Sequence, residues 1–212
     1  MKIIYYGHSC FAAEINGKHL LFDPFITQNP LAKTVDIKKI KADYIFVSHG
    51  HYDHITDTAA IAKQTGATVI SNFEITSWLD KNGVKNAQPL NSGGTYSSDI
   101  GRVKCVNAIY SSSLPDGTYG GCASGFVVES TDGNFYYSGD TALTLDMKLI
   151  SETTKLKFAV LCIGGTWPWI SMTPSVPLAF SNAKTSWACI TIPSRPSKLT
   201  MPLPKRNFSR RD

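Results

Sequence analysis

Tyr44-Ile45-Phe46-Val47 runs directly into Ser48-His49-Gly50-His51-Tyr52-Asp53-His54, so three of the chain's five histidines and an aspartate fall within six positions. Residues i and i+2 of an extended backbone point the same way, which lets His49 and His51 grip one cation. The chain then turns, and Asp53 and His54 can face a second cation close by. Imidazole and carboxylate together suit zinc, iron or manganese rather than calcium. Several neutral imidazoles packed together need a common partner, which argues against a merely solvated loop. A cation held this way ionises water near neutral pH, so the chemistry on offer is hydrolysis.

The elements around this cluster must hold it still. Residues 44–47 form a short, wholly apolar run, the pattern of a strand buried on both faces. Residues 3–6, 10–15 and 19–22 read as strands, with Asn16-Gly17 as a two-residue hairpin turn between the last two. Thr56 or Asp57 can cap a helix through Thr65 that Gly66 closes. Residues 67–71 read as another buried strand, and residues 73–81 as a helix ended by Asn82-Gly83. Further strands are expected at 103–109, 124–129, 135–138 and 158–163, with Asp132-Gly133 as a turn. Strands interleaved with two or three helices imply sheet layers covered by helices. The Ser- and Gly-rich stretch 111–121 reads as a mobile rim for a substrate.

Composition narrows the class. The chain has 212 residues, 42% of them hydrophobic and 17% charged, enough for one domain with a real core and too ordinary for disorder. It contains no apolar run of about eighteen residues, so no membrane partner is expected, and the first residues are broken by Gly7 and His8 too early for a signal peptide. Five scattered cysteines without a C-x-x-C pair fit reduced thiols in a cytoplasmic protein. The net charge of +5 is uneven. Seven bases (Lys184, Arg195, Lys198, Lys205, Arg206, Arg210, Arg211) face one acid, Asp212, in residues 165–212, and the remainder is near neutral. The same tail holds seven of the eleven prolines and three of the four tryptophans. A near-neutral body argues against a nucleic-acid partner, whose binding face should carry basic residues across the fold.

The H-x-H-x-D-H run resembles the signature of the metallo-β-lactamase superfamily. Tyr6-Gly7-His8-Ser9-Cys10-Phe11, Leu21-Phe22-Asp23-Pro24-Phe25, Ser111-Ser112-Ser113-Leu114-Pro115-Asp116-Gly117 and Ser138-Gly139-Asp140-Thr141 are similar to the small bacterial metal-dependent hydrolase group, related to ascorbate-phosphate lactonases. The resemblance covers residues 1–164 and implies an α/β (α+β) fold, a four-layer αββα sandwich, whose C-terminal part is atypical here. It implies two zinc ions, with manganese or iron as alternatives. His49 and His51 would bind the first, Asp53 and His54 the second, and Asp140 would bridge them. Asp53 would also shuttle a proton, which makes it the catalytic residue. His8 would lie near the site, and Asp23 would accept the other N–H of a ligand histidine. Asp57 reads better as a helix N-cap. The partner implied is a small-molecule substrate with an ester, lactone, phosphodiester or amide bond.

The chain departs from that pattern twice. Tyr110 stands where the resemblance expects a histidine, and no histidine follows His54. Phenol, with a free pKa near 10, is a poor ligand unless the ion drives its deprotonation. These losses leave a second reading open, a metal-binding module without catalysis. The basic, proline-rich tail 165–212 offers a cause. If each codon there is remade from the third base of one residue and the first two of the next, Trp167-Pro168 must give Ala. By the same rule Trp169-Ile170 and Met172-Thr173 must each give Asp, and Trp187-Ala188 must give Gly. The freer positions allow the acidic segment and the Met-His-Tyr strand end that the resemblance implies. The tail therefore reads as frameshifted and poorly ordered, leaving an unpaired strand edge beside residues 158–163.

Overall fold

The computed structural model describes residues 1–163 and the backbone of 188–191. Two six-stranded sheets are formed in chain order. The first contains β1 (Lys2–Gly7), β2 (Cys10–Ile15), β3 (Lys18–Phe22), β4 (Tyr44–Phe46), β5 (Thr68–Ser71) and β6 (Ala87–Pro89). β1, β2 and β3 are antiparallel, joined at β2–β3 by Asn16-Gly17 with both residues at positive φ. β3 through β6 are parallel and are connected by α1 (Tyr52–Ile55), α2 (Thr58–Thr65), α3 (Phe73–Lys81) and two single 3-10 turns at Pro30–Ala32 and Ile37–Lys39. The second sheet runs β7 (Thr95–Ser98), β8 (Gly101–Asn107), β9 (Ser124–Glu129), β10 (Asn134–Tyr137), β11 (Leu156–Ile163) and β12 (Ala188–Thr191), with α4 (Asp146–Thr153) between β10 and β11.

Strand alternation sorts the side chains into three cores. Phe11, Phe22, Phe46 and Ile70 from the first sheet meet Phe126, Phe135, Tyr137 and Phe158 from the second. Phe22 stacks on Phe11 at 4.5 Å and on Phe46 at 4.7 Å, and Phe46 meets Phe126 edge-on at 5.2 Å. Offset and edge contacts of this kind add to the burial energy of the rings. The neighbouring residues Ala12, Leu21, Ile45 and Val69 face the other way, against Ile61, Ile75 and Leu79 of the helices. Behind the second sheet, Tyr136, Ala159 and Leu161 bury Met147 and Ile150 of α4. Helix, sheet, sheet, helix is the expected four-layer order, with the facing sides of the two sheets removed from water.

Several expectations change. β12 pairs in parallel with β11, from Val160↔Ala188 to Ile163↔Thr191, so that edge is not open. The other tail residues, 164–187 and 192–212, lie outside the described residues, as does the expectation of a poorly ordered tail there. The helix expected from Thr56 or Asp57 is α2, closed by Gly66 at φ +72°, and the short α1 that precedes it was not expected. Asp57 occupies the N-cap position of α2 without capping it. Its carboxylate instead accepts from the amides of Ile26 and Thr27 at 2.6 and 2.9 Å and from Thr27 Oγ1 at 2.7 Å. The stretch 111–121 is tied to the first sheet's helix layer at several points. Asn72 Nδ2 donates to the carbonyls of Gly120 and Cys122, Trp78 Nε1 donates to Asp116, and Leu114 is buried.

Candidate metal centre

The parallel strands of both sheets end on the same side, and the chemistry-bearing residues lie just beyond them. β3 leads into Asp23, β4 into Ser48–His49, and β10 into Ser138-Gly139-Asp140. The two sheet ends are tied where the Ser124 amide donates to the Ser48 carbonyl at 2.9 Å. Gly139 is required there: at φ +57° a Cβ would lie 2.6 Å from the Ser124 carbonyl oxygen and 2.7 Å from Ser48 Cβ. Three non-glycine residues have positive φ among the described residues, and two of them, His8 at 56° and Asp23 at 41°, belong to this site. Such backbone strain persists where the surroundings hold it in place.

Asp23 is fully buried and anchors the centre. Its Oδ1 accepts from the Ser48 amide at 2.7 Å. Its Oδ2 accepts from Ser48 Oγ at 2.6 Å, from His54 Nδ1 at 2.7 Å and from the Tyr137 hydroxyl. A carboxylate partner on Nδ1 fixes the ring orientation and turns Nε2 toward the centre. Ser48 Oγ gives its proton to Asp23, so the contact to His49 Nδ1 at 3.0 Å is one in which the imidazole donates. His49 therefore also presents Nε2, which lies 3.0 Å from His51 Nδ1.

The remaining groups close around these nitrogens. His54 Nε2 lies 3.5 Å from Asp140 Oδ2 and 3.9 Å from Asp53 Oδ2. His8 Nε2 bonds the same Asp53 oxygen at 2.8 Å. His8, Asp53 and His54 offer ligand atoms mutually within 4.8 Å, as do Asp23, His49 and His54. The Tyr110 ring stands edge-on to both His49 and His51, with centroids 5.4 Å away. All eight expected residues (His8, Asp23, His49, His51, Asp53, His54, Tyr110 and Asp140) are thus assembled at one place. Sequence reasoning missed Ser48 and Tyr137, the other donors to Asp23. The inward alternation of β10 was the available signal for Tyr137, since a buried tyrosine hydroxyl needs a partner.

The electrostatics are those of a cation site. Burial opposes a charge on His54, yet the Asp140 and Asp23 carboxylates outweigh it and raise the imidazole well above its ordinary 6.5. Burial, helped by neighbouring imidazoles, holds His49 well below that value and His51 below it. Burial also works against the Asp53 carboxylate, but the His8 hydrogen bond and the charges of His54 and His8 prevail and hold it low. The fit to a metal can be tested on the unpartnered atoms. His54 Nε2 and Asp140 Oδ1 are buried without a hydrogen-bond partner, and burying such groups unsatisfied is costly. An imidazole nitrogen and a carboxylate oxygen left without partners in one buried place suit a divalent zinc, manganese or iron ion, which would displace the imidazole proton.

Comparison with known proteins agrees with this geometry. The family model described as a beta-lactamase superfamily domain matches residues 18–183. A UPF0173 metal-dependent hydrolase of Methylacidiphilum infernorum is 54% identical over 167 residues, 79% of this chain and 74% of that protein. One from Flavobacterium johnsoniae is 54% identical over the same shares, and one from Bacillus cereus is 41% identical over 87% of this chain and 83% of its own length. Among solved structures, Igni18, a metallo hydrolase from the archaeon Ignicoccus hospitalis, superposes with a TM-score of 0.70 at 33% identity, covering 79% of this chain and 72% of that one. An isothiocyanate hydrolase from Delia radicum gut bacteria shares the fold, with a TM-score of 0.67 at 16% identity over 90% of this chain and 84% of its own. With its cluster of histidines and aspartates gathered at the ends of two parallel-strand sets, the chain belongs to the UPF0173 metal-dependent hydrolases of the beta-lactamase superfamily.

Proposed function

We propose that this chain holds two divalent cations, zinc first among zinc, manganese and iron, and hydrolyses an ester, lactone, phosphodiester or amide bond in a small molecule. His49 and His51 would hold one cation and Asp53 and His54 the other, with Asp140 between them. The observation that carries this reading is the pair of buried, unpartnered atoms, His54 Nε2 and Asp140 Oδ1. Cations bound there supply a Lewis acid and an ionised water at neutral pH.

The chain's own residues do the rest. Asp23 orients His54 through Nδ1, and Ser48 passes the same constraint to His49. His8 holds Asp53 at 2.8 Å. Asp53 is the half-exposed carboxylate of the centre, placed to carry a proton from the incoming water to the leaving group. The free thiols Cys10, Cys105, Cys122 and Cys162 favour a reducing, cytoplasmic setting, and no helix among the described residues is long and apolar enough to cross a membrane.

Tyr110 favours a second reading, a metal-binding module without turnover. Burial and the Asp140 and Asp53 charges push its phenol up, away from the ionised form a metal would need. Zinc titration of the metal-free chain decides between them. Two zinc ions per chain are expected by elemental analysis. Zinc at a hundred times its Kd should add about 2.7 kcal/mol of stability, a rise in Tm of roughly 5–10 °C. His54→Gln and Asp140→Asn should each abolish part of that rise. One weakly held zinc and no turnover would select the inert module, and no uptake of zinc, manganese or iron would remove both readings.

A further inference from the structure

The walls of the centre carry a chemical preference that the ligand set does not. Among the described residues, five segments frame it: 5–11, 23–29, 48–57, 108–123 and 138–147. None contains a lysine or arginine, although the chain has 21. Rings stand there instead. Phe25 meets His8 edge-on at 5.5 Å, and the half-exposed Tyr52 meets Phe25 at 6.0 Å. On the opposite side of the ligands, Tyr110 flanks His49 and His51, and the Ser111 hydroxyl lies 3.4 Å from His51 Nε2. Beside Tyr110, the exposed Ile109 is tied to the segment after Asp140, where its amide donates to Thr141 Oγ1 at 2.8 Å.

We propose that the substrate is a neutral ester or lactone whose aryl or alkyl group packs against Tyr52 and Tyr110. This rests on the hydrolase reading above and narrows it. A phosphodiester arrives with a full negative charge and gains another as it is attacked. Beyond the cations themselves, the described walls offer no ammonium or guanidinium to meet that charge, and complementary charge is what such sites use. A neutral acyl compound brings no charge, and its apolar part gains by leaving water for the rings. In the reaction, the oxygen of water forms a bond to the acyl carbon, and the acyl C–O bond breaks with its electron pair on the alcohol oxygen. One proton of that water passes to the alcohol oxygen, so the products are the carboxylic acid, which ionises, and the alcohol.

The test uses the full chain and two readouts. With zinc bound, 4-nitrophenyl butyrate and bis(4-nitrophenyl) phosphate release the same chromophore, and each kcat/KM is referred to its rate with free zinc in buffer. The butyrate should be favoured at least ~tenfold, and Tyr52→Lys should narrow that gap by improving the phosphodiester. Without metal, saturation-transfer NMR should show benzyl methyl ether bound and phenyl phosphate unbound, with the ether signal lost in Tyr52→Ala/Tyr110→Ala. Preference for the phosphodiester overturns the neutral substrate and leaves the hydrolase reading intact. Ether binding without turnover of either ester removes the hydrolase reading while the preference of the walls stands. No ether binding, or stronger binding of phenyl phosphate, overturns the proposal itself.

Discussion

Four donors converge on one carboxylate at Asp23, and the isosteric change Asp23→Asn would present an amide where three of them now point. Losing such a support to metal-binding histidines typically costs 10–100-fold in affinity, so Asp23→Asn should weaken zinc by about that factor in a chelator competition. Tyr137→Phe removes one donor and should cost about 1 kcal/mol in a denaturant midpoint, with a smaller effect on zinc. His54 gives the pH dependence. Its raised pKa means that the metal-free chain holds it as imidazolium, so the stability of its pairing is fully present below 6.5 and is lost as pH rises through the higher folded value. Zinc on Nε2 must displace that proton. Uptake should therefore release protons and tighten as pH rises, which calorimetry in two buffers of different ionisation heat will read directly. The ligand types were legible because H-x-H-x-D-H is local. Ser48 and Tyr137 were not, because their role is acceptance by a carboxylate 25 and 114 residues away along the chain.

At the scale of elements, Asp57 separates two things that a sequence pattern confuses. It stands directly before a helix, where an aspartate ordinarily caps, yet its oxygens go to Ile26 and Thr27 and so fasten the segment after Asp23 to the start of α2. Asp57→Ala should remove three bonds to a charged acceptor, and at roughly 1.5–3 kcal/mol each the loss would exceed that of any cap. An urea midpoint shift larger than that of Asn72→Ala, which removes the cap of α3 on Ile75 together with two neutral bonds to the carbonyls of Gly120 and Cys122, is the expected result. Strands with strong periodicity or a hairpin turn were readable: residues 10–15, 124–129 and the helix 73–81 coincide with β2, β9 and α3. β6 and β7 were not, since Ala-Gln-Pro and Thr-Tyr-Ser-Ser carry no apolar alternation and lie at sheet edges. α4 was passed over because its buried face is only Met147 and Ile150.

The whole molecule joins two sheets at one end, and the second sheet shows what its last strand should bring there. β10, β11 and β12 run parallel, so the C-terminal end of β12 lies on the side where β10 delivers Asp140. The late histidine that the family resemblance implies is absent from the residues written at 188–191, which are Ala-Cys-Ile-Thr. Shifted by one base in the manner forced at Trp167, Trp169, Met172 and Trp187, the same stretch allows Met-His-Tyr, with the histidine drawn from Cys189 and Ile190. The histidine in that reading fixes one nucleotide: the codon of Cys189 must end in C, because a terminal T would give tyrosine in its place. Sequencing the coding DNA across codons 160–212 should find that C and an alternate frame free of stops. Restoring the frame should then tighten the second zinc, since a histidine would join Asp53, His54 and Asp140, and measured affinity would rise without change in the first. A Cys189 codon ending in T, or stops in the alternate frame, makes the basic tail genuine. The centre then keeps Tyr110 and no late histidine, and weak binding of the second cation becomes the expected property of the molecule.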